Sequence, residues 1–193
     1  MRSSRRPHPC LHASVVLALV ACAHAPPPTP DTVPGPGISD AERKALSGTW
    51  LYAGGDAELA TVDPAVERAT ADMGFLARGI AAQALRARAL PRNLYTLTFD
   101  GPTATIVTPD HPTERGDVGG PPVGVTDRFG DENQTTFRMR DGALVEAGKS
   151  ADGSGETVFT PDPDGRTLHV RRLMQSSRLS APVDLTFSYR RQE

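Results

Sequence analysis

From Tyr95 onward apolar and polar residues alternate in short runs, the period-two pattern of strands that bury one face. Tyr95, Leu97 and Phe99 share a face, and Asp100-Gly101 turns the chain into Thr103 to Thr108. Further strands are predicted over Val123 to Arg128, Thr135 to Arg140, Ala143 to Gly148, Glu156 to Thr160, Thr167 to Met174 and Val183 to Arg190. Turn signals separate them at Asp131-Glu132-Asn133, Asp141-Gly142, Asp152-Gly153 and Asp162-Pro163-Asp164-Gly165. Ahead of Tyr95 the period changes. Ser39-Asp40 reads as a helix N-cap before Ala41 to Leu46, Gly48 to Tyr52 as a first strand, and Asp63-Pro64 as the opening of a second helical stretch. There Val66, Ala69, Met73, Leu76 and Ile80 recur at helical spacing. Gly74 interrupts them at a cost of about 1 kcal/mol relative to alanine, so residues 64–90 form either one long helix or two short ones. A meander with one apolar face closes into a barrel, which removes its exposed edges. The predicted fold is mainly β: an antiparallel up-and-down β-barrel of about 8 to 10 strands, with a helical lid segment after the first strand.

The first residues follow a different logic. Arg2, Arg5 and Arg6 precede an apolar run from Leu11 to Ala21 that is too short to span a bilayer, which is the form of an export signal. Leu19-Val20-Ala21-Cys22 resembles the lipobox of bacterial lipoproteins, in which the thiol is acylated and the bond before it is cut. The resemblance implies a signal peptide at 1–21, a lipidated Cys22 and a membrane as partner. Cysteine usage agrees: Cys10 leaves with the signal, and acylation accounts for the single thiol that remains. Residues 22–38 are Pro-rich without periodicity and read as an extended tether, with the barrel domain at 39–193. Ala23 stands where Asp would retain a lipoprotein in the inner membrane of enterobacteria, which favours the outer membrane of the cell envelope, facing the periplasm.

Charge narrows the partners. The formal charge of −2 becomes −5 once the three leader arginines are removed, which argues against nucleic acid and against a basic patch assisting attachment. Two acyl chains on Cys22 would anchor the protein without that help.

The order of motifs after residue 46 resembles the calycin superfamily, and within it the fatty-acid-binding-protein-like barrels. Gly48-Thr49-Trp50 is similar to the family's opening Gly-x-Trp strand, Gly74-Phe75 with Arg78 to the start of its second lid helix, and Asp141-Gly142-Ala143-Leu144-Val145 to its Asp-Gly-x-Leu-Val hairpin. Tyr189-Arg190 matches the Tyr and basic residue that end the last strand. The resemblance implies that Trp50 plugs the barrel base under Arg190 or Arg191. Two departures bear on the ligand. Phe187-Ser188-Tyr189 stands where fatty-acid binders carry Arg-x-Tyr, and no arginine falls near Val158 to Thr160, where another is expected to point inward. A buried carboxylate without a charge partner is costly, so the expected ligand is neutral and apolar.

Alternation places Tyr95, Leu97, Phe99, Phe137, Met139, Leu185, Phe187 and Tyr189 on the inner face, and Phe75 and Leu76 in the lid. These ten are the candidate ligand-binding residues. Their bland alternative is mutual packing in a filled barrel, and the function then becomes structural or protein-binding, through the outer surface or the Pro- and Gly-rich loop from Thr108 to Pro122. Little in the chain points to catalysis. His111 and His169 lack metal-binding spacing, Asp162 to Gly165 lacks the end ligand of a calcium loop, and no phosphate loop or Gly-x-Ser-x-Gly is present. The carboxylates are scattered over turns, where solvation explains them, although pairs from distant strands could still meet in space. The sequence thus predicts neither an enzyme nor a cofactor, but a lipid-anchored barrel that holds or passes a small apolar ligand.

Overall fold

The computed structural model describes residues 37–109 and 111–193; the predicted export signal, Cys22 and almost all of the predicted tether lie outside them. The domain opens as expected. Helix α1 (Asp40–Leu46) is closed at its start by a capping box, in which Glu42 N–H donates to Ser39 Oγ at 3.3 Å and Ser39 N–H donates to Glu42 Oε2 at 2.8 Å. Strand β1 (Gly48–Tyr52) follows directly.

Three helices separate β1 from the rest of the sheet: α2 (Gly55–Leu59), α3 (Val62–Ala69) and α4 (Phe75–Ala89). The segment 64–90 is therefore broken, and Gly74, extended at ψ 152°, is the N-cap of α4. That break resets the helical phase. Val66 and Ala69 of the expected stripe are buried in α3, while Leu76 and Ile80 of α4 are 79% and 74% exposed. In α4 the stripe facing the barrel is Ala81, Leu85 and Ala89, and Phe75 points outward. Pro64 lies two residues inside α3 rather than at its first position, because Val62 begins the helix. The α2 turn has too few apolar residues to give a periodic signal.

Nine strands complete the fold: β2 (Leu94–Asp100), β3 (Thr103–Val107), β4 (Glu114–Asp117), β5 (Val123–Thr126), β6 (Glu132–Arg140), β7 (Ala143–Lys149), β8 (Ser154–Pro161), β9 (Thr167–Gln175) and β10 (Val183–Arg191). They form one ten-stranded antiparallel sheet in the order β4-β3-β2-β1-β10-β9-β8-β7-β6-β5, so β1 and β10 pair within it rather than at its edges. The sheet curls until its ends nearly meet. Gly119 N–H donates to Phe137 O at 2.7 Å, and Val118 bridges Phe137, joining the segment after β4 to β6. Two details differ from the sequence reading. The turn after β5 is centred on Asp127 to Asp131, where Asp127 Oδ1 accepts from the Phe129 and Asp131 amides. The stretch from Thr108 to Pro122 is also not all loop, since it contains β4.

The base is held as the family resemblance implies. Trp50 is fully buried, its Nε1–H donates to Leu46 O at 3.0 Å, and the Arg191 guanidinium lies 4.1 Å from its ring centre. Gly48, at φ 138°, passes so close to Arg191 that a Cβ there would sit 2.7 Å from Nη1. Above the base an aromatic cluster fills the barrel: Tyr95 meets Phe159 and Tyr189 edge-on at 5.2 Å, and Tyr52 meets Phe187 at 6.1 Å.

Candidate functional site

The filled base leaves space toward the helices. A cavity of about 470 Å³ lies between α4 and the upper barrel, and a second of about 310 Å³ adjoins it; both are lined by Arg88, Arg92, Asp127, Arg172 and Met174. Ala81 and Leu85 form the lid side of the larger one, and Glu114, Thr135, Glu146 and Thr157 line it from the strands. A volume of this size suits a small organic ligand.

Strand alternation puts charge into this space. In β7 Leu144 points inward, so Glu146 does as well; in β9 Leu168 and Val170 point inward, so Arg172 and Met174 follow. The register then sets Glu146 opposite Thr157 and Thr157 opposite Arg172 across three neighbouring strands. Glu114 enters from β4, where its partner Ile106 also faces inward. Arg92 arrives from the segment before β2, its carbonyl accepting a 2.9 Å bond from the Tyr189 hydroxyl and its guanidinium against His111. Arg172 Nη1 donates to Leu90 O at 3.0 Å. Neither guanidinium is ion-paired with a carboxylate among the described residues.

Electrostatics follow from that placement. Burial pushes the Glu146 carboxyl well above the usual range, and contact with the Glu114 carboxyl raises it further, against the pull of Arg92 and Arg172. Glu146 keeps some accessible surface, but that surface faces the cavity, which is why it is desolvated all the same. Burial likewise lowers Arg92 and raises Tyr95 and Tyr189, so the phenols stay neutral.

A raised carboxyl binds its proton more tightly in the folded state. Stability from Glu146 is complete below the unfolded value near 4.5 and is lost as pH rises from there through the raised folded value. The expected slope in that window reaches about 1.4 kcal/mol per pH unit for one proton. Glu42 and Asp184, lowered by Ser39 and Arg171, have the opposite sign and act below this window. Urea denaturation from pH 4.5 upward should show declining stability for the wild type, and Glu146→Gln should flatten the decline. An equal decline in that variant would place the titrating group elsewhere.

The lid is latched at the end of α4. Arg88 pairs with Asp131 at 2.7 Å, Arg128 donates to Ala87 O at 3.0 Å, and both guanidinium groups pack on Phe129, 3.9 Å (Arg88) and 4.7 Å (Arg128) from its ring centre. The β5–β6 turn thereby grips the helix that covers the cavity.

The sequence-derived candidates lie mostly below this site. Leu97, Phe187 and Tyr189 are fully buried, Phe137, Tyr95 and Leu185 nearly so, and Phe99 and Met139 pack against the same core. Phe75 and Leu76 face outward, 90% and 79% exposed. None of the ten lines the two cavities, whereas charged residues absent from the candidate set do, Arg92, Glu114, Glu146 and Arg172 among them. Alternation, carried past the apolar positions, was the signal that marks Glu146 and Arg172 as inward. The interior therefore holds charged groups, and two carboxylates from distant strands, Glu114 and Glu146, come together inside the barrel. An inward arginine does exist, one strand later than the family pattern suggests.

Neither a family model nor a curated relative matches the sequence. Solved structures do. Lipid binding protein 8 of Caenorhabditis elegans is similar at a TM-score of 0.50 and 12% identity, over 80% of this chain and 99% of that one. A heat soluble protein of Ramazzottius varieornatus gives 0.50 and 11%, over 77% and 96%. A luciferase domain from the dinoflagellate Lingulodinium polyedrum gives 0.54 and 11%, over 81% of this chain and 44% of that one. At such identities the likeness shows the fold alone, a ten-stranded antiparallel barrel with helices inserted after the first strand. The luciferase domain belongs to an enzyme, so the barrel by itself does not separate carrier from catalyst.

Proposed function

We propose that this protein binds one small amphiphilic molecule in the cavity under α4, and that it does so on a membrane of the bacterial cell envelope, anchored through acylated Cys22. The observation that carries the binding reading is the cavity of about 470 Å³, which remains open although the base of the barrel is packed with aromatic side chains. The apolar part of the ligand would lie against Ala81, Leu85 and Met174, and its polar end would reach Arg92 and Arg172. This reading departs from a purely apolar ligand because the cavity floor is charged. Lipid binding by the Caenorhabditis elegans protein of similar fold, as its name records, agrees with it.

Native mass spectrometry of the protein from a bacterial lysate tests the reading. A reproducible adduct released on denaturation is expected, and it should disappear in Leu85→Trp, whose indole fills the space under the lid. Loss of affinity should exceed about tenfold, since each 1.4 kcal/mol of forfeited contact is a factor of ten. A bound molecule that survives Leu85→Trp unchanged would place the site elsewhere. Anchoring is tested separately: Cys22→Ser should move the protein from the membrane pellet to the soluble fraction. Placement in the outer rather than the inner membrane, for which Ala23 speaks, is read from density-gradient fractions of the same cells.

A further inference from the structure

We propose that Glu114 and Glu146, in contact on the cavity wall with Arg92 and Arg172 beside them, form a proton-linked receptor for an anionic head group, so that the cavity takes up an anion together with one proton. The proposal rests on the reading that this cavity binds an amphiphile, and it adds the head-group charge and a means of release.

Charge balance inside the barrel carries the argument. With both carboxyls ionised, the two glutamates and two arginines sum to zero, and a bound anion would leave a net negative charge in a desolvated site, which is heavily penalised. With one proton shared by the carboxyl pair the site is positive by one, and the anion neutralises it. The arginines suit this role because their hydrogen bonds go to Leu90 O and His111 rather than to the glutamates. The raised Glu146 carboxyl is in keeping with a pair that already favours the proton.

The surroundings of Glu146 restrict which groups can answer for a pH effect. From β4 it meets Glu114, from the segment before β2 Arg92, from β9 Arg172 and from β2 Tyr95. Inward positions of β6 and β8 supply Thr135, Phe137, Met139 and Thr157, none of which titrates. Tyr189 of β10 holds the Arg92 carbonyl. Farther out, α4 contributes Arg88, held by Asp131, and the β5–β6 turn contributes Asp127, which accepts two backbone amides. Glu156 is paired with Arg138. His111 lies against the Arg92 guanidinium.

The test uses the full chain and two probes of matched length, decanesulfonate, whose charge is fixed, and decanol, which has none. Calorimetric titration in buffers of different ionisation enthalpy, run above the titration of the free pair, should show uptake approaching one proton per sulfonate bound, falling toward zero at lower pH. Sulfonate affinity should fall by up to about tenfold per pH unit through the titration of the pair, while decanol affinity stays level. Glu146→Gln, with Glu114→Gln as the second variant in case the first fails to fold, should bind sulfonate with the low-pH affinity at every pH. Decanol binding without sulfonate binding overturns this inference and leaves the carrier reading standing. Wild-type sulfonate affinity that ignores pH, or a pH dependence retained by a folded pair variant and abolished by His111→Gln, also overturns it. Failure of both probes overturns the inference and the carrier reading together.

Discussion

Trp50→Ala should lower the unfolding free energy by about 3–5 kcal/mol, the range for truncating a large aromatic in a core. The side chain is fully buried, and three independent contacts converge on it. Its indole N–H satisfies Leu46 O at the end of α1, its ring face carries the Arg191 guanidinium, and its strand is paired on both sides, with Tyr95 of β2 and Arg191 of β10. Arg191 in turn donates to Ala45 O and Gly165 O, each at 2.6 Å, so it ties α1 and the β8–β9 turn to the same ring. Alanine would remove the ring and leave the guanidinium lying over a void. Trp50→Phe should recover most of the loss, missing the bond to Leu46 and part of the stacking. Urea midpoints of the two variants decide this: a loss below about 1 kcal/mol for Trp50→Ala, the size of an ordinary surface change, would mean that the base is not packed as described.

Phe137→Ala should cost as much, about 3–5 kcal/mol, for a different reason. Phe137 sits where the two ends of the sheet approach. Its carbonyl accepts from Gly119, and its ring fills the space left by Gly116, where a Cβ would come within 2.7 Å of Cδ2. Removing the ring takes away the filling between β4 and β6, so the loss should be accompanied by faster hydrogen exchange at the Gly119 amide, while amides of the central β9–β10 pair keep their protection. Gly116→Val offers the complementary change, with overpacking costing about 1–3 kcal/mol at the same place. Uniform loss of protection across the sheet would show that the seam is not a separate weak point. The aromatic ring that alternation offered as a ligand contact thus acts as the closure of the barrel.

The fold was legible where side chains repeat with a clear period. Val183, Leu185, Phe187 and Tyr189 are all buried and Asp184 and Thr186 exposed, as a two-residue period requires. Strand β4 was not legible because Glu114-Arg115-Gly116-Asp117 contains no apolar residue; it exists because β3 needs a partner at Ala104 and Ile106, a fact that no local pattern carries. Phase was lost at Gly74 for a related reason: spacing counted through an extended residue places Leu76 and Ile80 on a face that the folded chain turns to solvent. The site was the least legible part. Selecting apolar residues as inward finds the packed floor of the barrel, since a floor is what apolar residues make. A cavity persists where side chains do not fill space, and here that is where Glu146 and Arg172 occupy inward positions otherwise held by Leu and Val.

The pairing of β1 with β10 bears on how this chain is made. The first strand finds one of its two neighbours only when the last has been delivered, so the sheet lacks this internal seam until nearly the whole domain is available. Contacts between distant parts of a sequence form late, and a barrel wired in this way stays threadable through most of its synthesis. For a chain exported as proposed above, such a delay would keep the sheet incomplete until passage is over.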